Sequence, residues 1–172
     1  LLAWTTTPWT LPSNLALAVG KDIDYVKVKD VATGRSLILA EALLPNFFKA
    51  PDKEVEVLER MKGAALVDLT YEPLFPYFGD RAAKGAFRVI FADHVTTESG
   101  TGIVHMAPAF GEEDYYACAK EGIPIVNPVD DDGMFTAEVP DYQGKRVKDA
   151  DKDIIADLKK KNRLFKQETI QH

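Results

Sequence analysis

At 172 residues with 46% hydrophobic side chains, the chain is long enough for one well-buried domain and cramped for two. Its formal charge of -6 excludes a module that grips a nucleic-acid duplex unaided, because phosphate neutralisation needs a basic surface. No apolar run approaches the ~20 residues of a membrane span, and Leu1-Leu2-Ala3-Trp4 runs into threonines rather than a secretory signal.

Cys118 is the only cysteine, so an internal disulfide is excluded and a reducing, cytoplasmic setting is expected. The three histidines, His94, His105 and His172, lack metal-ligand spacing, so no metal is expected. The first residue is not methionine and lies in what reads as a strand. A fragment of a larger protein, folded as a single domain over 1–172, is therefore expected.

In chain order, Leu15, Leu17 and Val19 alternate with small residues up to Gly20, as in a strand. Tyr25–Val28 and Ser36–Leu39 flank Thr33-Gly34, which predicts a hairpin. A short helix is expected over Glu41 to Phe48, limited by Pro45. Glu54 to Leu58 alternates like a half-exposed strand, and Phe87–Phe91 and Gly102–His105 are further strand candidates. Two helices follow. Glu112 to Lys120 has acids in its first turn, a lysine in its last, and Gly122 beyond; Val147 to Lys161 puts Val147, Ala150, Ile154 and Leu158 on one face. Short strands with few helices predict an α+β domain built on a β-barrel-like sheet.

Three segments could carry chemistry. In Trp4-Thr5-Thr6-Thr7-Pro8-Trp9-Thr10-Leu11-Pro12-Ser13-Asn14, each proline disfavours helix at the residue before it, so Thr7 and Leu11 are expected extended or in turns. If extended, Thr5 and Thr7 face one way and Thr6 the other. A β-branched edge strand with a proline turn would give the same residues without chemistry. In Gly100-Thr101-Gly102-Ile103-Val104-His105-Met106-Ala107-Pro108-Ala109-Phe110-Gly111-Glu112-Glu113-Asp114-Tyr115, a strand ends near His105 and a helix begins close to Asp114. Taken singly, Asp114 reads equally as a helix-dipole partner and His105 as a satisfied, partly buried imidazole. Their joint placement, on a loop between strand and helix, is what suggests a site. Asp130-Asp131-Asp132 before Gly133 lacks the alternating ligands of a calcium loop and reads as a solvated turn, and Lys159-Lys160-Lys161 suits a helix C-terminus.

Together with Asn127 to Phe135 and Asp141-Tyr142-Gln143-Gly144, these segments resemble the editing domain inserted in class I tRNA synthetases for isoleucine, valine and leucine. The resemblance covers essentially the whole chain and implies a β-barrel-like core of short strands with peripheral helices. Valine and leucine enzymes usually have Thr-Thr-Arg-Pro followed by an acid, whereas Thr7 and Trp9 stand at those places here, which resembles the isoleucine type. Leu164 to Thr169 resembles the strand that returns to the catalytic body.

The resemblance implies a hydrolase that clears valine from mischarged tRNA(Ile), and valyl-adenylate as a further substrate. A synthetic pocket built for one apolar side chain cannot strongly reject one a methylene smaller, and isoleucine against valine is the standard example of that limit. It also implies the parent synthetase and the valine-bearing 3′ end of tRNA as partners. No cofactor is implied in this domain, the ATP and magnesium of aminoacylation being used elsewhere in the parent. The aspartate matching Asp114 is implied to hold the free α-ammonium of the substrate, a charge-assisted contact that physics favours. Thr5, Thr6, Thr7 and Thr10 could orient ester, ribose and water, with Thr6 and Thr7 nearest the chemistry and with Trp9 and Gly102 as further binding positions. Threonine is a poor general base, so hydrolysis would rest on positioning and polarisation. His105 is a candidate for the wall that excludes isoleucine, or for a contact to the carbonyl or ribose. Two other readings are a valine-type domain acting on threonyl-tRNA, opposed by Thr7 and Trp9, and a tRNA-docking module without catalysis, opposed by the acidic charge.

Overall fold

The computed structural model describes residues 1–165. Its strands are short and form two three-stranded sheets. In the first, β1 (Ala16–Val19) lies between β5 (Arg88–Phe91), parallel to it, and β6 (Ile103–Met106), antiparallel. In the second, β2 (Asp24–Asp30) lies between β3 (Ser36–Ala40) and β4 (Val55–Lys62), both antiparallel. Backbone hydrogen bonds join the sheets: Ala40 N–H donates to Thr101 O (2.8 Å) and Leu2 N–H to Ile38 O (2.9 Å), while Trp4 N–H reaches Ile103 O (3.3 Å). On the far edge, Asp68 and Tyr71 donate to Val89 and Phe87 of the β5 region, so the ribbon curls around a shared interior.

β1 is buried on both faces, which its sequence explains. Leu17 and Val19 join Tyr25, Leu66, Val89 and Ile103 in the interior between the sheets. Ala16 and Ala18, on the opposite face of the strand, join Cys118 of α2 (Glu112–Lys120) and Ala150, Ile154 and Leu158 of α3 (Val147–Lys160). Large residues on one side and alanines on the other let a helical layer pack closely. Burying Ile154 completely contributes about 1.5–3 kcal/mol.

The expected hairpin is present, with Gly34 at φ +75° where a side chain would be strained. The helix starts at Glu112 and Val147 are as expected, and Glu41–Asn46 forms a 3₁₀ turn around Pro45. One expectation needs correction. β4 runs on to Lys62 and is exposed along most of its length, because it is an edge strand whose alternation is broken by a register shift at Lys27/Val28 of its partner. Of the two forms expected for the threonine segment, extended or turn, Pro8–Ser13 takes the turn, as 3₁₀, since the proline rings hold φ near helical values and Thr10 and Asn14 donate back to Thr7 and Leu11; Thr7 before it is non-helical. Asp130 makes the expected turn, its carboxylate accepting from the N–H groups of Asp132 and Met134 (both 3.0 Å). Lys161 lies over the Phe75 ring at 4.7 Å. Of the expected return strand, residues 166–169 lie outside the described residues; Phe165 packs against Phe47 and Phe48.

Candidate active site

The site begins with a corner. Thr7 N–H donates to Thr5 Oγ1 (3.1 Å), which bends the chain and leaves Thr6 exposed at the tip. Pro8 then starts the 3₁₀ turn, and the Thr10 hydroxyl donates to Thr7 O (2.9 Å) while lying 3.3 Å from Thr7 Oγ1. Thr7 and Thr10 thus form a small hydroxyl ledge at the start of the turn. Asp151 on α3 accepts from Trp9 N–H (2.9 Å), one of the donors a 3₁₀ start leaves without an internal partner.

β6 brings His105 to the ledge. Opposite Leu17 in the antiparallel register, His105 faces the interior side of the sheet and is 7% exposed. Its Nδ1 lies 2.7 Å from Asn14 Nδ2 and its Nε2 2.9 Å from Thr10 Oγ1. Asn14 Nδ2 also donates to Ala16 O (2.9 Å), so the amide nitrogen faces the imidazole. An amide N–H₂ can only donate, hence Nδ1 accepts and the ring carries its proton on Nε2, donating to Thr10. The Asn14 oxygen in turn accepts from the Tyr71 hydroxyl. Burial lowers the His105 pKa to about 4. The ring is neutral at physiological pH with both nitrogens engaged, so it has no free lone pair with which to act as a base.

Asp114 enters from the first turn of α2, just after the loop that follows β6. Its Oδ2 accepts from Ala107 N–H (3.0 Å), while Oδ1 has no hydrogen bond among the described residues. Burial raises its pKa; the Ala107 N–H and the nearby His94 pull it back, and Glu113 adds to the rise. A Cβ on Gly111 would come within 3.1 Å of the Asp114 carboxyl carbon, so glycine leaves this side chain its place. The loop meets the threonine segment where the Trp9 and Phe110 rings pack edge to face, 4.9 Å apart.

Thr7, Thr10 and His105 are therefore in one network, Trp9 links it through Phe110 to the loop that leads into α2 and Asp114, and Thr5 and Thr6 form its outer corner. Gly102 stands apart, before the first residue of β6. At φ +78°, a Cβ there would lie 2.6 Å from that of Ala40, so it serves the junction of the sheets. Sequence reasoning gave no role to Asn14, Tyr71 or Asp151. Asn14 was visible as a polar amide ending the threonine segment directly before a buried strand. Tyr71 lies in no motif, and Asp151 is one of several acids on an amphipathic helix whose partner is 142 residues away. Cys118, one turn after Asp114 and fully buried, has its thiol pushed up to about 12, chiefly by burial, and is inert.

No family model matches the chain. Among curated proteins it is 80% identical over all its residues to an isoleucine–tRNA ligase of Bdellovibrio bacteriovorus, and 52% identical to one of Chlamydia trachomatis, in each case spanning 16% of the relative's length. The cytoplasmic isoleucine–tRNA ligase of Saccharomyces cerevisiae is also 52% identical over the whole chain, which spans 17% of it. Among solved structures, the crystal structure of GlLeuRS-CP1 superposes with a TM-score of 0.72 at 17% identity, covering 98% of this chain and 84% of the other. The editing domain of the cytosolic leucyl-tRNA synthetase of P. knowlesi gives 0.67 at 14%, covering 95% and 82%. With full-length identity to one group and the fold of the other, the chain belongs to the isoleucyl-tRNA synthetase family, as the segment with the inserted editing-domain (CP1) fold.

Proposed function

We propose that this chain is the post-transfer editing site of an isoleucyl-tRNA synthetase, a hydrolase that cleaves valine from the 3′ end of mischarged tRNA(Ile), with valyl-adenylate as a further substrate. The observation that carries this reading is the Asp114 carboxylate, half-buried, with Oδ2 anchored and Oδ1 without a hydrogen bond among the described residues, on a segment that the Trp9–Phe110 contact joins to the threonine turn. A free α-ammonium distinguishes aminoacyl-tRNA from plain RNA, and a partly dried carboxylate whose pKa is raised by burial gains by accepting a cationic donor.

Water attacks the ester carbonyl, the bond to the ribose oxygen breaks, and the proton passes to that oxygen. No side chain of the network is a strong base. The Thr6 and Thr7 hydroxyls, exposed at the corner, orient the water and ester, while Thr5 and Thr10 shape the corner and Trp9 holds it against the loop. His105 is assigned the wall that stops the longer isoleucine side chain. Rigidity is what a sieve for one methylene requires, and both ring nitrogens are tied down. Gly102 has no assigned contact with substrate.

The test is single-turnover hydrolysis of valyl-tRNA(Ile) with protein in excess, so that weak tRNA binding does not mask cleavage. Asp114→Ala is expected to slow it about 10- to 100-fold, the worth of a hydrogen bond to a charged group, with an unchanged circular dichroism spectrum. Cleavage at the wild-type rate in the variant contradicts the ammonium role.

A further inference from the structure

We infer that Tyr71 is a positioning residue of this site: its hydroxyl holds the Asn14 amide, and through it the His105 ring and the Thr7–Thr10 ledge. The inference rests on the function proposed above for its kinetic consequence, and on geometry alone for its structural one. Tyr71 is firmly placed. Its N–H donates to Phe87 O (3.0 Å), its ring packs edge to face against Phe87 at 6.1 Å, and Phe87 N–H donates to Leu15 O (2.7 Å), next to Asn14. The hydroxyl therefore arrives at Asn14 on a frame tied to the same strand.

At Asn14 the amide protons go to His105 Nδ1 (2.7 Å) and Ala16 O (2.9 Å), with Met106 O a longer third acceptor (3.4 Å), and Oδ1 is the only acceptor of the side chain. Tyr71 is its only donor among the described residues. Burial raises the Tyr71 pKa, so the hydroxyl keeps its proton throughout the working range. Tyr71→Phe retains the ring against Phe87 but leaves a partly buried amide oxygen unpaired. The amide then swings to find a donor and no longer faces Nδ1 with its N–H. Once Oδ1 approaches the imidazole, the proton moves to Nδ1, Nε2 becomes an acceptor, and the Thr10 hydroxyl turns to it and releases Thr7 O. A phenol outside every motif thus controls the ledge from three residues away in the hydrogen-bond chain.

The experiment compares the wild-type chain with Tyr71→Phe, each labelled with ¹⁵N-histidine, in multiple-bond ¹H–¹⁵N spectra and in multiple-turnover deacylation. The wild type is expected to show His105 as the Nε2–H tautomer alone. The variant is expected to show Nδ1–H character, and kcat about tenfold lower with KM within about twofold. Asn14→Asp, which sets an acceptor against Nδ1 with Tyr71 intact, is expected to give the same change of tautomer and serves where Tyr71→Phe does not fold. Unchanged His105 signals in the variants overturn the positioning role, as does a wild-type kcat in Tyr71→Phe. If the signals shift but neither wild type nor variant deacylates valyl-tRNA, the positioning role stands and the proposed function falls.

Discussion

His105 is held as a neutral ring at a measurable cost. Its folded pKa near 4 lies below the ordinary value of 6.5, so the unfolded chain takes up a proton that the folded chain refuses. That contribution to stability is complete above about pH 6.5 and is lost as pH falls towards 4, by about 3 kcal/mol in all. Asp114 and Asp151, whose pKa values burial raises, oppose it, since their protonation favours the fold. Urea unfolding of wild type and His105→Gln from pH 7 to pH 4 is expected to show a steeper loss in the wild type. Parallel curves would mean that the ring titrates in the fold as it does in the unfolded chain. In activity, the acid limb should follow Asp114 and lie above the usual aspartate range, with no inflection near pH 6.5 from His105.

The elements that are continuous in sequence were the ones sequence alone could place. The helices over Glu112–Lys120 and Val147–Lys160 announce themselves by charge and by apolar spacing, and the β2–β3 hairpin by Thr33-Gly34. The threonine segment stood out as a candidate site but not as a 3₁₀ turn, because local rules gave only a bias against helix before proline. What decides its shape is tertiary: Asp151 capping Trp9 N–H, and His105 taking the Thr10 hydroxyl. Asp151→Ala is accordingly expected to loosen this turn and lower stability by about 1 kcal/mol, as loss of a capping acceptor does, read as faster amide exchange at Trp9 and Thr10. Unaltered exchange there would show that the prolines alone set the turn.

The molecule as a whole is a curled ribbon of two small sheets with its candidate site at one end of β1 and β6, where the 3₁₀ turn, the loop to α2 and α3 meet. Its acidic charge suits a domain that cleaves an end brought to it better than one that captures tRNA alone. The barrel-like character was legible from the many short strands. The closing contacts were not, because Leu2, Trp4 and Tyr71 enter through backbone pairing that carries no periodic signal. Whether this assembly is an editing site comes down to the relative rates at which the chain, in excess, releases valine from valyl-tRNA(Ile) and isoleucine from isoleucyl-tRNA(Ile). Valine is expected to be released about 10- to 200-fold faster, the range one methylene allows, and His105→Ala to narrow that ratio. Equal rates for the two esters, or no hydrolysis of either, would contradict it.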